Sequence, residues 1–214
     1  MSNAVGDGAW KEGRRRSAKA AIVGAAWEAV REEGLAGLSM RDLARRAGVT
    51  TPTLYAYFDS KHAIYDAMFG QAAADFSRHM SAPLQGEDPK FLLVETLRRF
   101  SDFCTADVAR YQLLFQRTIP GFEPSPESYA HAVEALGAAR RKLASIGITK
   151  ARHVDMWTAL VTGLVDQQIS NDPGGDRWSR LAGEFAEMFL SYCGVHAGAP
   201  SKRSQSSALK GATR

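Results

Sequence analysis

From residue 17 to 194, apolar residues recur at intervals of three and four, the spacing of one helix face. No alternating β-branched run bounded by turns interrupts them, so the pattern predicts helices and no sheet. The first helix covers about 17–33, with Ile22, Ala26, Ala29 and Val30 in one stripe and Gly34-Leu35 as its stop. Ser39 opens the second as N-cap, with Asp42 completing a variant capping box and Leu38 and Leu43 forming a hydrophobic staple. That helix ends at Gly48. Thr50 caps a short third helix with Pro52 in its first turn, and Ser60 caps a fourth from Lys61. Asp88-Pro89 starts a fifth, the stretch through Tyr111 and Phe115 is a sixth, and Ser125-Pro126-Glu127 and Thr149 start two more. Asp176 caps the last, whose stripe runs through Trp178, Leu181, Phe185, Met188, Phe189 and Tyr192 to Gly194.

This is an all-α chain of about nine helices. With 214 residues, 45% hydrophobic and 23% charged, it can bury a core without disulfides or metals. Two cysteines, Cys104 and Cys193, are too few for a disulfide framework or zinc cluster and point to a reducing, cytoplasmic setting. No apolar run approaches the roughly 18 residues of a membrane span, and no secretory segment is evident. The net charge of +4 lies at the ends of the chain. Lys11, Arg14, Arg15, Arg16 and Lys19 are opposed only by Glu12, so residues 1–16 read as a flexible basic arm that attracts polyanions or is simply solvated. Within it Ser2-Asn3-Ala4 reads as a cloning remnant. Residues 197–214 read as a disordered basic tail.

The second and third helices, joined by Gly48-Val49-Thr50, have the form of a helix-turn-helix, whose second member can enter the DNA major groove. At 100° per residue Leu54 and Phe58 share the inward face of the third helix. Pro52, Thr53 and Ala56 then point outward, flanked by Tyr55 and Tyr57. That outer face is small and neutral, so it can approach base edges closely. The tyrosine hydroxyls, Lys61 and Ser39 can hold phosphates, Arg41 can reach a guanine, and Arg14, Arg15 and Arg16 can reach the adjacent minor groove or the backbone. The helix pair alone is equally a hairpin of an ordinary helical protein.

The longer string is more specific. Leu38-Ser39-Met40-Arg41-Asp42-Leu43-Ala44 leads to Ala47-Gly48-Val49-Thr50, then Thr53-Leu54-Tyr55-Ala56-Tyr57-Phe58 and Lys61. Over about residues 20–64 this resembles the N-terminal domain of the tetracycline-repressor (TetR) family. The resemblance implies a homodimer that binds a palindromic DNA operator, usually as a repressor, with residues 17–62 as the DNA-binding domain. Carried over by position, Thr51, Pro52 and Thr53 would face bases, with Arg41 as a possible base reader. Ser39, Tyr55, Tyr57 and Lys61 would hold phosphates. Tyr57 stands where the family more often has His, and Ala56 where bulkier residues occur, which bears on operator sequence.

The resemblance makes residues 63–196 a ligand-binding and dimerisation domain for a small-molecule effector. Candidate pocket walls are Phe69, Phe76, Phe100, Phe103, Tyr111, Phe115, Met156 and Trp157, with Gln168 as a polar anchor, which suits a small apolar or aromatic effector. Trp178, Leu181, Phe185, Met188 and Phe189 form a stripe too aromatic to leave in water, and the resemblance makes it the dimer interface. No Gly-x-Ser-x-Gly, phosphate-binding glycine loop or metal-ligand spacing appears, so no catalytic residue, metal or cofactor is expected. The alternative is a small-molecule-binding helical protein that no longer binds DNA.

Overall fold

The computed structural model describes residues 4–84, 86 and 88–195, with side chains from Trp10 onward. Among them are nine α-helices and no strand: α1 (Ala4–Gly37), α2 (Met40–Arg46), α3 (Thr51–Tyr57), α4 (Lys61–Ser81), α5 (Pro89–Ala106), α6 (Val108–Phe115), α7 (Pro126–Ser145), α8 (Ala151–Asn171) and α9 (Ala182–Cys193). None is long and apolar enough to cross a membrane.

Local chemistry places most of the starts. The side chains of Thr50, Ser60, Asp88, Asp107 and Ser125 each accept a backbone N–H three residues on, filling donors that the first helical turn leaves without partners. Four expectations are corrected. The chain is helical from Ala4, where an irregular arm over 1–16 is expected; the Ala, Lys and Arg of residues 9–20 are good helix formers, so α1 extends through them. Ser39 occupies the N-cap of α2 without making a side-chain cap bond, and Asp42 turns instead to Arg45 (2.5 Å) and Arg46 (2.5 Å). The eighth helix starts at Ala151, two residues after Thr149. Asp176 caps no helix: Asp172 takes the Arg177 N–H at 2.8 Å, a 3-10 turn follows at Ser179–Leu181, and α9 begins at Ala182. The tail 197–214 and Ser2-Asn3 lie outside the described residues.

Two apolar clusters make the core. The first joins α1, α2, α3 and the N-terminal half of α4, with Ile22, Ala26, Leu43, Leu54 and Ile64 almost fully buried. Ala109 and Leu113 of α6 belong to it as well. The second joins α5, α8 and α9 to Tyr111 and Leu143. The expected domain boundary at 62/63 falls in the first turn of α4, and α4 itself runs from the first cluster (Ile64, Met68, Ala72) to the second (Phe76, Met80). At 1.5 Å per residue its 21 residues span about 30 Å.

Polar pins fix α4 to its neighbours. The Tyr65 hydroxyl donates to the Leu35 carbonyl, and the Trp27 indole donates to Gln71 at 2.8 Å. Asp66 accepts from the Ser125 backbone N–H (2.6 Å) and from the Ser125 and Ser128 hydroxyls (2.9 and 3.0 Å). This holds the start of α7 against α4. The two helices approach so closely that a Cβ on Gly70 would stand 2.9 Å from Ser128 Oγ, closer than real Cβ atoms come.

Candidate functional site

Helix α3 is seated by Leu54, fully buried, and by Phe58, whose backbone N–H closes the last turn on Leu54 O. Gly48 makes the turn into it with φ of +66°, a region where side-chain-bearing residues are strained. With the inner face fixed, Pro52, Thr53, Tyr55 and Ala56 are exposed along one side of the molecule. Thr51 and Tyr57 are half-buried, and Tyr57 packs against the first cluster. The Thr50 and Thr53 hydroxyls lie 2.8 Å apart, so the N-terminal turn of α3 is internally bonded.

Around this face lie Arg41 and Ser39, both exposed, and Lys61, whose ammonium donates to Ala36 O at 3.3 Å and keeps further protons for a partner. Lys19 of α1 reaches the Phe58 ring at 5.2 Å. That contact brings the basic side of α1 to the end of α3. Arg14, Arg15 and Arg16 follow as exposed side chains, Arg14 stacking on Trp10 at 4.7 Å. Three acidic residues of this region, Asp42, Glu32 and Glu33, converge on Arg46. Hydrogen bonds from Arg46 hold the Asp42 and Glu32 carboxyls below their ordinary range.

A second feature lies beyond α4. A cavity of about 410 Å³ opens between α4, α5, α7 and α8. Phe76, Phe100, Phe115 and Trp157 line it, and Phe69 lines a smaller recess of about 220 Å³ beside Phe122. Four other candidate walls do not reach the main cavity. Phe103 packs on Phe76 at 5.1 Å, and Met156 is exposed on the outer side of α8. Tyr111 is buried, its hydroxyl donating to Asp166 at 2.8 Å. Gln168 spends its amide on the α8–α9 turn: it donates to Asp172 O and Gly175 O and accepts from the backbone of Trp178 and Ser179.

The wall that creates the space carries no aromatic signal in the sequence. Ala132, Ala135, Ala138 and Ala139 of α7 face the cavity, and they are too small to fill it. Their three-and-four spacing is the signal that could have found it. Arg141 and Lys142 stand in the same wall. Burial, and then the nearby Arg99, push the Lys142 ammonium below its ordinary pKa.

On α9, Met188 and Tyr192 are exposed, Trp178, Leu181 and Phe185 are half-buried, and Phe189 is corrected: it is buried within the protomer, 5.0 Å from the Trp157 ring. No group of three or more His, Cys, Asp and Glu among the described residues could hold a metal ion.

Residues 22–68 match the family model of bacterial regulatory proteins, tetR family. Over 160 residues the chain is 27% identical to the tetracycline repressor protein class A from transposon 1721 of Escherichia coli, spanning 73% of this chain and 69% of that protein. In fold it is similar to a tetR-family transcriptional regulator from Streptomyces coelicolor (TM-score 0.65, 19% identity, 82% of this chain and 80% of that one). It is also similar to the transcriptional regulator FadR from Bacillus subtilis in complex with stearoyl-CoA (TM-score 0.63, 20% identity, 82% and 98%).

Proposed function

Because its N-terminal domain belongs to the tetR family of bacterial regulatory proteins, we propose that this chain is a homodimeric, ligand-released repressor that binds a palindromic operator. The observation that carries the reading is the outward face of α3. Pro52, Thr53 and Ala56 present a surface small enough to enter a major groove, while Leu54 anchors it from behind. Thr51, Pro52 and Thr53 meet base edges and Arg41 reads a guanine. Ser39, Tyr55, Tyr57 and Lys61 hold phosphates on either side, and Arg14, Arg15 and Arg16 extend the contact along the duplex.

The protomers pair through the outer sides of α8 and α9. Met156, Ala159 and Gly163 are exposed at helical spacing on α8, and Met188 and Tyr192 on α9, an apolar surface suited to a four-helix contact between copies. The dimer places two α3 helices for two half-sites. The cavity between α4 and α7 takes the effector, a small apolar molecule. A helix that touches both the cavity and the α3 seat, as α4 does, moves one when the other is filled. FadR from Bacillus subtilis, which shares this fold, is in complex with stearoyl-CoA, which supports a small-molecule effector.

The test is selection of genomic fragments by the purified full chain. An inverted repeat is enriched by the wild type and lost in the double variant Arg41→Ala/Tyr55→Ala. Enrichment of no sequence, or enrichment unchanged in that variant, overturns the reading in favour of a binding protein without DNA.

A further inference from the structure

The cavity has a chemical polarity that its apolar walls conceal. Four hydroxyls line it, and each donates its single proton to its own helix: Ser81 to Ser77 O (2.6 Å), Thr96 to Leu92 O (2.6 Å), Thr158 to Val154 O (2.9 Å) and Thr162 to Thr158 O (2.8 Å). They present lone pairs to a ligand and no proton. Among the described residues no aspartate or glutamate lines the cavity. Among the described residues the side-chain donors left in the wall are the Trp157 indole and the two cations, Arg141 and Lys142, adjacent at the C-terminal end of α7.

Lys142 sits in an unbalanced setting. Across from it Arg99 is clasped by Glu95 (3.3 Å) and by the carbonyls of Ala82 (2.6 Å) and Pro83 (3.3 Å). Glu95 is shared with Arg98 at 3.8 Å. One carboxylate thus serves two guanidinium groups, and the Lys142 ammonium is half-buried beside them. An ammonium that loses water beside a carboxylate already shared by two guanidinium groups is held at a cost that an incoming anion relieves.

We infer that the cavity takes an amphiphile, an apolar chain or ring system lying against Phe76, Phe100 and Phe115, with an anionic end group held by Lys142 and Arg141. This rests on the reading of the cavity as the effector site and adds the charge of the effector to it. Both cations belong to α7, whose first turn Asp66 ties to α4, so an anion drawn to one end of α7 bears on the helix that leads to the α3 seat.

The test uses calorimetric titration of the full chain with decanoate, decanol and decylamine, which share a chain length and differ in the end group. Decanoate binds about tenfold more tightly than decanol, and decylamine most weakly. Lys142→Met, which keeps an apolar stem, brings decanoate to the level of decanol and leaves decanol unchanged; Arg141→Met lowers the preference in part. Decanol or decylamine binding as tightly as decanoate, or a decanoate preference that survives in the Lys142→Met/Arg141→Met double variant, overturns the inference while leaving the cavity as the effector site. Ala139→Trp, which fills the cavity, abolishes binding of all three; Ala132→Phe serves if that variant does not fold. Binding that persists in a folded filled variant places the ligand elsewhere and overturns both readings, as does a wild type that binds none of the three.

Discussion

Arg31 of α1 donates from Nε and Nη2 to one carboxylate oxygen of Asp107, at 3.0 and 2.7 Å, while the other oxygen of Asp107 accepts the Arg110 N–H that opens α6. One carboxylate thus fastens the first helix and caps a helix whose far end, Leu114 and Phe115, lines the cavity. Arg110 completes the knot by reaching Asp75 of α4 at 2.9 Å and lying 5.2 Å over the Trp27 ring. If an occupant of the cavity displaces Phe115, this knot is the route by which the displacement would reach α1. Arg31 is partly exposed, so Arg31→Ala lowers unfolding free energy by less than about 1 kcal/mol in urea titration. The same variant shrinks the drop in duplex affinity that decanoate causes in the wild type. An undiminished drop contradicts the coupling.

The seat of α3 is a packing problem with one dominant residue. Leu54→Ala opens a cavity in a site with no exposure and lowers stability by about 2–5 kcal/mol. Ala56→Ser, on the exposed side of the same helix, changes stability by less than about 0.5 kcal/mol. Thermal denaturation of the two variants separates inward from outward; equal losses would mean that the face assigned to the duplex is packed within the protomer.

Tyr55 is 48% exposed and carries a hydroxyl at the edge of the α3 face. If that hydroxyl holds a phosphate, Tyr55→Phe weakens all duplexes alike, by about 1 kcal/mol. Fluorescence anisotropy on the selected repeat and on base-substituted duplexes measures it. A change in which base is preferred would show that Tyr55 reads sequence.

Acid should loosen the helix-turn-helix through Arg46. Two of the three carboxyls bonded to it, Asp42 and Glu32, titrate below their ordinary values of 3.8 and 4.5 when folded. A folded-state pKa that is lowered contributes stability fully present above the unfolded value and lost as pH falls through the folded one. Stability therefore declines as pH drops below about 4.5, and Arg46→Gln flattens that part of the decline. Urea midpoints between pH 6 and pH 3 report it; parallel curves for wild type and variant would remove Arg46 as the cause.

The order and number of helices were legible in the sequence because caps and glycines act locally: Thr50, Ser60, Asp88 and Ser125 each sit where the structure uses them. The inward face of α3 was legible too, from Leu54 and Phe58. Where side chains had a choice of partner, the reading failed. Asp42 prefers two arginines to its own helix start, and Gln168 satisfies a turn that no periodicity announces. Phe189 faces inward because α9 is apolar on more than one side, so its stripe does not tell the core from the outer surface. The cavity was half legible: its aromatic walls are named by hydrophobicity, but the space itself comes from volume that Ala132, Ala135 and Ala139 lack, which is a property of three helices together.

A grip on duplex DNA by the exposed face of α3 and its cationic margin makes binding steeply salt-dependent. For the selected repeat, log affinity should fall linearly with log salt, losing orders of magnitude between ~50 and ~200 mM, with a shallower slope in Lys61→Gln and Arg14→Gln variants. Affinity that does not respond to salt, or a slope identical in those variants, contradicts the account.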